Sequence, residues 1–268
     1  MKNYLGEAGM NEEELKYFIS KAEVPNKDLR RRIIEKGTEI NSTHFASSFS
    51  CVDTIKYLYD KILTREDIFL LSKGHGELAL YSVLESKGYK PEWKPHLDLN
   101  TLQGIHATTG SLGHGFPIGL GMAHSKKILN QKGKVYVLIS DAEMETGSTY
   151  ETLALGKKLD LDNIVLLIDW NKHQATGNVQ DIGGINEETL SSRLSAFGWD
   201  NYCIKGHKEE NLKFIQTIGN GLTAIILDTI KGNGLKCLEN GVHGYTFSKE
   251  EYENAMEFLK WEKNLLNF

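Results

Sequence analysis

Residues 135–177 read VYVLISDAEMETGSTYETLALGKKLDLDNIVLLIDWNKHQATG and decide the fold expected for this chain. Two apolar runs, Val135–Ile139 and Ile164–Ile168, flank a helix-like segment, which is typical of two parallel strands joined by a crossover helix. Asp141 follows the first run and Asn171 follows the second. Because ligands of parallel α/β sheets bind beyond the carboxyl ends of the strands, these two side chains are expected to face each other across one site.

The polar residues at these strand ends have two explanations. A carboxylate, an amide oxygen and a loop carbonyl form a set of hard oxygen ligands, of the kind that holds Mg²⁺ or Ca²⁺ against the phosphates of a ligand. Strand ends also carry Asp and Asn simply because these residues form turns. The spacing alone therefore indicates a diphosphate-cofactor site without excluding ordinary turns.

The rest of the chain continues the alternation of helices and strands. Helices are predicted at Asn11–Ala22, Asn26–Ile40, Thr54–Leu63, Glu77–Ser86, Gly115–Leu129, Lys208–Thr217 and Ser248–Asn264, and further strands at Ile68–Leu71, Trp199–Ile204 and Thr223–Thr229. Asn26 is predicted to cap the second helix, and Ser50 with Asp53 to form a capping box for the third. The stretch Pro91–Gly115 is irregular, and long loops of this kind are usually functional.

This alternation predicts an α/β fold with a doubly wound, mainly parallel sheet and helices on both faces. The chain contains no internal repeat or Pro-rich linker. Residues 1–268 are therefore predicted to form a single domain, with residues 1–40 as a helical N-terminal extension within it.

Composition excludes several classes of protein. The chain is 40% hydrophobic and 25% charged, no apolar run approaches the roughly 20 residues that span a bilayer, and the N-terminus lacks the apolar core of a signal peptide. We therefore expect a cytoplasmic protein with no membrane partner. A net charge of −5 offers no electrostatic reason for nucleic-acid binding. The cysteines at 51, 203 and 237 fit no metal-ligand spacing.

Several histidines lie among small residues in predicted loops. These are His44, His75, His96 and His243. A histidine transfers protons near neutral pH and donates hydrogen bonds to sugar hydroxyls or phosphate, so a group of converging histidines favours polyol chemistry. Any one of them taken alone is better explained as a polar loop residue.

Together these segments resemble the transketolase family in order and spacing. The matching segments are His44, Ser72–Gly76, His96–Asp98, Thr108–Gly115, Ser140–Ala142 with Asn171, and Thr229–Gly234 followed by His243–Gly244. The resemblance implies thiamine diphosphate as cofactor, held through Mg²⁺, for which Ca²⁺ or Mn²⁺ could substitute.

The resemblance also implies roles for individual residues. The implied metal ligands are Asp141, Asn171 and the backbone carbonyl of His173. The implied cofactor-binding residues are His75, Gly110, Ser111, Leu112, Asp141, Ala142 and Asn171. The implied catalytic residues, which would line the thiazolium and the donor sugar, are His44, His75, His96 and His243.

Some positions depart from the family pattern. Ser140 and Ala142 replace the two glycines that flank the aspartate, although Ala142 is the smallest substitute and binding is expected to survive. Leu97 replaces a proline, and Val242 replaces a tryptophan. Thr146 stands where the resemblance leads one to expect a carboxylate that couples two active sites.

A full transketolase carries two further domains, so the resemblance implies the N-terminal subunit of a split transketolase. Its partner would be a C-terminal subunit with the pyrimidine-binding domain, most simply in an α2β2 assembly acting on sugar phosphates. Ordinary pentose phosphates are the default substrates, and a sulfosugar or a branched sugar phosphate is the alternative. Two other readings stay open, namely the α subunit of a 2-oxoacid dehydrogenase and a noncatalytic scaffold.

Overall fold

A computed structural model of the chain describes residues 24–239, 241 and 243–260. The predicted helix Asn11–Ala22 lies outside this part of the chain. One sheet contains five strands, namely β1 Ile68–Leu71, β2 Val135–Ser140, β3 Ile164–Trp170, β6 Asp200–Lys205 and β7 Thr223–Asp228. Their order in the sheet is β1-β2-β3-β7-β6, and every neighbouring pair is parallel.

Helices connect and cover these strands. The helices are α1 Lys27–Glu39, α2 Phe45–Tyr57, α3 Glu77–Ser86, α4 Gly115–Ile128, α5 Gly147–Lys158, α6 Val179–Gly183, α7 Glu187–Ala196, α8 Glu209–Leu212 and α9 Lys249–Lys260. A π-helical turn, Leu58–Ile62, continues α2, and short 3-10 turns occupy Gly74–Gly76, Thr101–Gln103, Ala142–Glu145 and Lys213–Thr217. A small antiparallel hairpin joins β4 His173–Gln174 to β5 Gly177–Asn178.

The sheet separates two apolar cores because successive side chains of a strand point to opposite faces. Leu138 of β2 packs in the core that contains residues of α1, α2, α3 and α9. Val137, its neighbour, packs in the core that contains residues of α4, α5 and α7. Both β2 and β3 are buried along their whole length. The predicted doubly wound, mainly parallel sheet is therefore confirmed.

The predicted helix start near residue 54 is wrong. Helix α2 begins at Phe45, so Ser50 and Asp53 lie inside it and form no capping box. The carboxylate of Asp53 instead accepts two hydrogen bonds from the buried guanidinium of Arg30, at 2.8 and 2.7 Å. Asp53 thus forms an ion pair with a residue of another helix instead of capping its own.

The predicted cap at Asn26 is also wrong. Asn26 does precede α1, but its side chain makes no hydrogen bond to the helix backbone. Its amide donates to Oδ1 of Asp53 at 2.7 Å instead. The same buried carboxylate therefore explains both errors.

Other boundaries differ in detail. The segment between β2 and β3 is a 3-10 turn followed by α5, and the predicted helix at Lys208–Thr217 is divided between α8 and a 3-10 turn. Pro91–Gly115 is largely irregular, as predicted, with isolated bridges that pair Leu97 with Thr109 and Asn100 with Ile105. All three cysteines are unpaired. Among the helices that the structure describes, none is long and apolar enough to cross a membrane.

Candidate active site

The carboxyl ends of β2 and β3 place Asp141 and Asn171 at the same edge of the sheet. Ser140 and Asp169 are register partners in these adjacent strands, so the residues that follow them emerge together. Asp141 is 1% exposed, and its Oδ1 accepts the backbone N–H of Ala142 at 2.8 Å. Its Oδ2 is buried and has no hydrogen-bond partner among the described residues. An orphaned buried carboxylate oxygen calls for a ligand, and a divalent cation fits it.

The electrostatics of Asp141 support this fit. Burial, together with the neighbouring carboxylate of Asp169, raises the pKa of Asp141 to about 7. A bound cation would offset both effects, because opposite charge favours the ionised form of a carboxyl group. The protein groups around Asp141 therefore do not fully compensate the negative charge of its carboxylate.

Asn171 and His173 form the second part of this edge. Oδ1 of Asn171 accepts the backbone N–H of His173 at 3.1 Å, and its amide nitrogen donates to Asp169 at 3.2 Å. The backbone carbonyl of His173, an implied metal ligand, accepts Nζ of Lys231 at 3.2 Å. Burial, reinforced by the charge of Lys73, lowers the pKa of Lys231 to about 8. The ammonium of Lys231 thus lies beside the oxygen that the resemblance assigns to the metal.

Beneath this edge lies a buried ion pair that the sequence did not indicate. The side chains of Lys73 and Asp169 are both fully buried and form a salt bridge. Hydroxyl groups of Ser50 and Thr229 also donate to Asp169. Although burial opposes ionisation, Lys73 holds the pKa of Asp169 below its usual range. We call Lys73, Asp141, Asp169 and Asn171 the strand-end network.

The four predicted histidines converge, and we call them the histidine cluster. The ring centroid of His44 lies 5.1 Å from that of His96, 5.6 Å from that of His243 and 6.3 Å from that of His75. The rings of His75 and His243 are 5.6 Å apart. These residues come from the start of α2, the turn before α3, the loop after it and the segment before α9. Only the tertiary fold makes them neighbours.

Two rings of the cluster, those of His75 and His243, favour their uncharged form. Burial lowers the pKa of His75 well below its usual range, and the charge of Lys73 acts in the same direction. Burial and the charge of Lys231 lower the pKa of His243. Neutral imidazoles can both accept and donate a proton, which is the property that sugar chemistry requires.

The loop at Gly110, Ser111 and Leu112 borders the histidine cluster. A side chain at Gly74 would lie 2.5 Å from the carbonyl oxygen of Thr109, so glycine is needed for the turn of His75 to contact this loop. The ring of His96 lies against Gly110, where an added Cβ would be only 2.8 Å away. The implied cofactor loop is therefore in contact with the segments that carry two of the histidines.

Glu143 is a site residue that the sequence reasoning missed. It is fully buried, and its carboxylate accepts the backbone N–H groups of Gly113 at 3.1 Å and Ser140 at 2.9 Å, together with the hydroxyl of Ser72. Burial raises its pKa. This carboxylate ties the cofactor loop to the ends of β1 and β2. Its local sequence does not single it out, because the segment that follows β2 also contains the acids Asp141 and Glu145.

The fold and this edge define an α/β protein with a buried carboxylate oxygen that has no partner among the described residues, and with a cluster of histidines. A family model described as transketolase, thiamine diphosphate binding domain, matches residues 34–266. The chain therefore belongs to the transketolase family and corresponds to its thiamine diphosphate-binding domain.

Similar proteins include separate subunits. The chain is 30% identical to a subunit of the apulose-4-phosphate transketolase from Phocaeicola vulgatus, over 89% of this chain and 93% of the relative. It is 28% identical to a 6-deoxy-6-sulfo-D-fructose transketolase subunit from a Clostridium species, over 87% and 94%.

Solved structures show the same fold. The transketolase from Leishmania mexicana superposes with a TM-score of 0.75 at 18% identity, covering 91% of this chain and 41% of that chain. The chain thus spans about two fifths of this solved transketolase but nearly the full length of the subunit relatives.

Proposed function

We propose that this chain is the N-terminal, thiamine diphosphate-binding subunit of a cytoplasmic split transketolase. With a separate C-terminal subunit, it transfers a two-carbon ketol unit from a ketose to an aldose. The observation that carries this proposal is the convergence of four imidazoles together with the orphaned carboxylate of Asp141. The charges of Lys73 and Lys231 act on this carboxylate and also on two of the imidazoles, which supports their proximity. A cation site and a proton-transfer site next to each other match what a diphosphate cofactor and a polyol substrate need.

The strand-end network would hold the cofactor. Asp141 and Asn171, with the carbonyl of His173, would hold Mg²⁺, or Ca²⁺ or Mn²⁺ in its place, against the diphosphate. Lys231 would leave that carbonyl and face the anionic phosphates. Gly110, Ser111, Leu112 and Ala142 would contact the cofactor, the first three through backbone groups. When bound, thiamine diphosphate supplies the carbanion and the electron sink for the two-carbon fragment.

The histidine cluster would act on the sugar. His44, His96 and His243 would bind the donor hydroxyl groups and exchange protons with them, while His75 would contact both the cofactor and the donor. Their separation by 5.1 to 6.3 Å leaves each ring near a different part of one small polyol. The acids and bases of the reaction would therefore come largely from this chain.

The partner would be a C-terminal subunit with the pyrimidine-binding domain, most simply in an α2β2 assembly. Two relatives of nearly the same length are named as transketolase subunits. Near the cofactor loop, Leu112 is 41% exposed and Ile118 of α4 is 39% exposed. Exposed apolar residues beside a site are typical of an interaction surface.

The substrate is proposed only as a class. One relative is named for a sugar phosphate and the other for a sulfonated sugar, so membership of the family does not select between these anions. Pentose phosphates, a branched sugar phosphate and a sulfosugar are therefore all to be assayed as donors and acceptors.

The test is reconstitution. The chain, the C-terminal subunit from the same organism, and their mixture would be assayed for ketol transfer with and without thiamine diphosphate and MgCl₂. Activity is expected only in the mixture and only with both additions. Full activity from the isolated chain, or oxidative decarboxylation of a 2-oxoacid by the mixture, would contradict the proposal.

A further inference from the structure

Glu77, the first residue of α3, is a buried carboxylate with no role in the assignments above. Its side chain is 0% exposed. The hydroxyl of Ser42 donates to its Oε1 at 2.9 Å. Nδ1 of His44 lies 3.1 Å from Oε1 and 3.2 Å from Oε2. A buried carboxylate is costly unless hydrogen bonds satisfy it, so these two contacts are what stabilises its charge.

The contact with Glu77 determines which ring nitrogen of His44 carries hydrogen. An ionised carboxylate can only accept hydrogen bonds, so Nδ1 of His44 must be the donor. In the neutral ring the lone pair then resides on Nε2. Carboxylates orient catalytic and metal-binding histidines in this way in other proteins.

Charges around the histidine cluster single out His44. Lys73 and Lys231 act on His75 and His243 and disfavour a positive charge on either ring. Glu77 lies directly against His44, which in turn contacts the other three rings. Among these four rings, His44 is the one that lies within hydrogen-bond distance of a carboxylate in the described part of the chain.

We infer that Glu77 is a positioning residue, which fixes the Nδ1–H tautomer of His44 and keeps Nε2 free as the proton acceptor for a substrate hydroxyl. This inference rests on the proposed function. In the step, the O–H bond breaks with its electron pair left on oxygen, and the proton forms an N–H bond at Nε2. Glu77 stays ionised and faces the resulting imidazolium.

The tautomer can be measured without any activity. In the isolated chain labelled with ¹⁵N-histidine, NMR should show His44 protonated at Nδ1 and not at Nε2. In Glu77→Ala the Nε2–H form should become the major one, because free neutral imidazole side chains favour it. Ser42→Ala is the matched control, since it removes the other hydrogen bond to Glu77 and should keep the Nδ1–H form. A wild-type spectrum with His44 protonated at Nε2 overturns the inference, whether or not Glu77→Ala folds.

Kinetics of the reconstituted enzyme supply the second test. Glu77→Ala should lower kcat by about 10- to 100-fold, as loss of an orienting partner does, with KM and cofactor affinity nearly unchanged. Because Glu77 acts through His44, adding Glu77→Ala to His44→Ala should cause no further loss. A further loss in that background would overturn the inference.

The two tests separate this inference from the proposed function. If the wild-type mixture lacks ketol transfer, the proposed function fails. The NMR measurement on the isolated chain still tests whether Glu77 fixes the tautomer of His44.

Discussion

The strand-end network and the histidine cluster share one edge of the sheet but treat charge in opposite ways. The strand-end network buries ionised groups, with the Lys73–Asp169 pair fully enclosed and one oxygen of Asp141 unpartnered among the described residues. In the histidine cluster, burial lowers the pKa of His75 and His243 and keeps these rings neutral. The first arrangement suits an ion and the second suits proton transfer, so substitutions should separate cofactor binding from turnover.

The largest effect is expected from Asp141→Ala. Removing the one carboxylate among the implied ligands leaves Mg²⁺ with fewer anionic oxygens, so retention of thiamine diphosphate should be abolished. Isothermal titration with Mg²⁺ and the partner subunit present measures the affinity for thiamine diphosphate. Asp228→Asn is the matched control, because Asp228 is also a strand-end carboxylate but pairs with Lys172 and Lys205. Unchanged affinity in Asp141→Ala would remove the metal assignment.

His44→Ala and His243→Ala should instead lower turnover and leave cofactor binding intact. Loss of a general acid or base typically lowers turnover by about 10²- to 10⁴-fold, and neither side chain belongs to the strand-end network. Steady-state assays at saturating cofactor, paired with cofactor titrations, test the separation. A variant that loses cofactor affinity but keeps turnover at saturation would show that the two regions are not divided as proposed.

Lys73→Met should destabilise the fold more than any surface ion-pair variant. Removing one partner of a buried pair leaves an uncompensated charge and costs about 3–5 kcal/mol. Lys205→Met, which breaks an exposed pair with Asp228, should cost roughly 1 kcal/mol or less. Urea unfolding of both variants measures the contrast. Equal losses would mean that the Lys73–Asp169 pair is not enclosed as described.

The smallest effect is expected in the pH dependence of the free energy of unfolding. The pKa of Asp141 in the folded protein is raised to about 7. Its favourable contribution to the free energy of unfolding is therefore fully present below the usual pKa of the group and is lost as pH rises through 7. The folded pKa of His75 is lowered, so its contribution is present above its usual pKa and is lost as pH falls. The two groups therefore oppose each other between about pH 4 and 6.5.

Urea unfolding without Mg²⁺ at pH 7, 6 and 5 measures how the free energy of unfolding changes with pH. Asp141→Asn should lose stability more steeply than wild type on acidification, and His75→Gln less steeply, each by at most about 1.4 kcal/mol per pH unit. Identical slopes in the three proteins would contradict the opposite titration of the two regions.

Much of the site was predictable because its segments carry local patterns. The apolar runs that end near Asp141 and Asn171 indicated adjacent parallel strands, and the Gly-rich context of His75 indicated a loop. Local rules failed where side chains serve distant partners. Asp53 was assigned to a helix cap but pairs with Arg30, which lies 23 positions away.

Glu143 and Glu77 show the same limit within the site. Each has an ordinary local context, Glu143 in a turn and Glu77 at the first position of a helix. Each also has a distant partner, Ser72 for Glu143 and Ser42 for Glu77, which lies 71 and 35 positions away. A hydrogen bond between such segments leaves no periodicity in the chain.

The sequence by itself determined the alternating α/β order, the strand-end positions of Asp141 and Asn171, and the order of motifs that resembles the transketolase family. These features depend on hydrophobic period and on short spacings, which a linear pattern records. Only the tertiary structure decided that Lys73 pairs with Asp169, that one oxygen of Asp141 is orphaned within the described part of the chain, and that Glu77 contacts His44. The physical reason is that burial sets the cost of a charge, and burial exists only once the layers have packed.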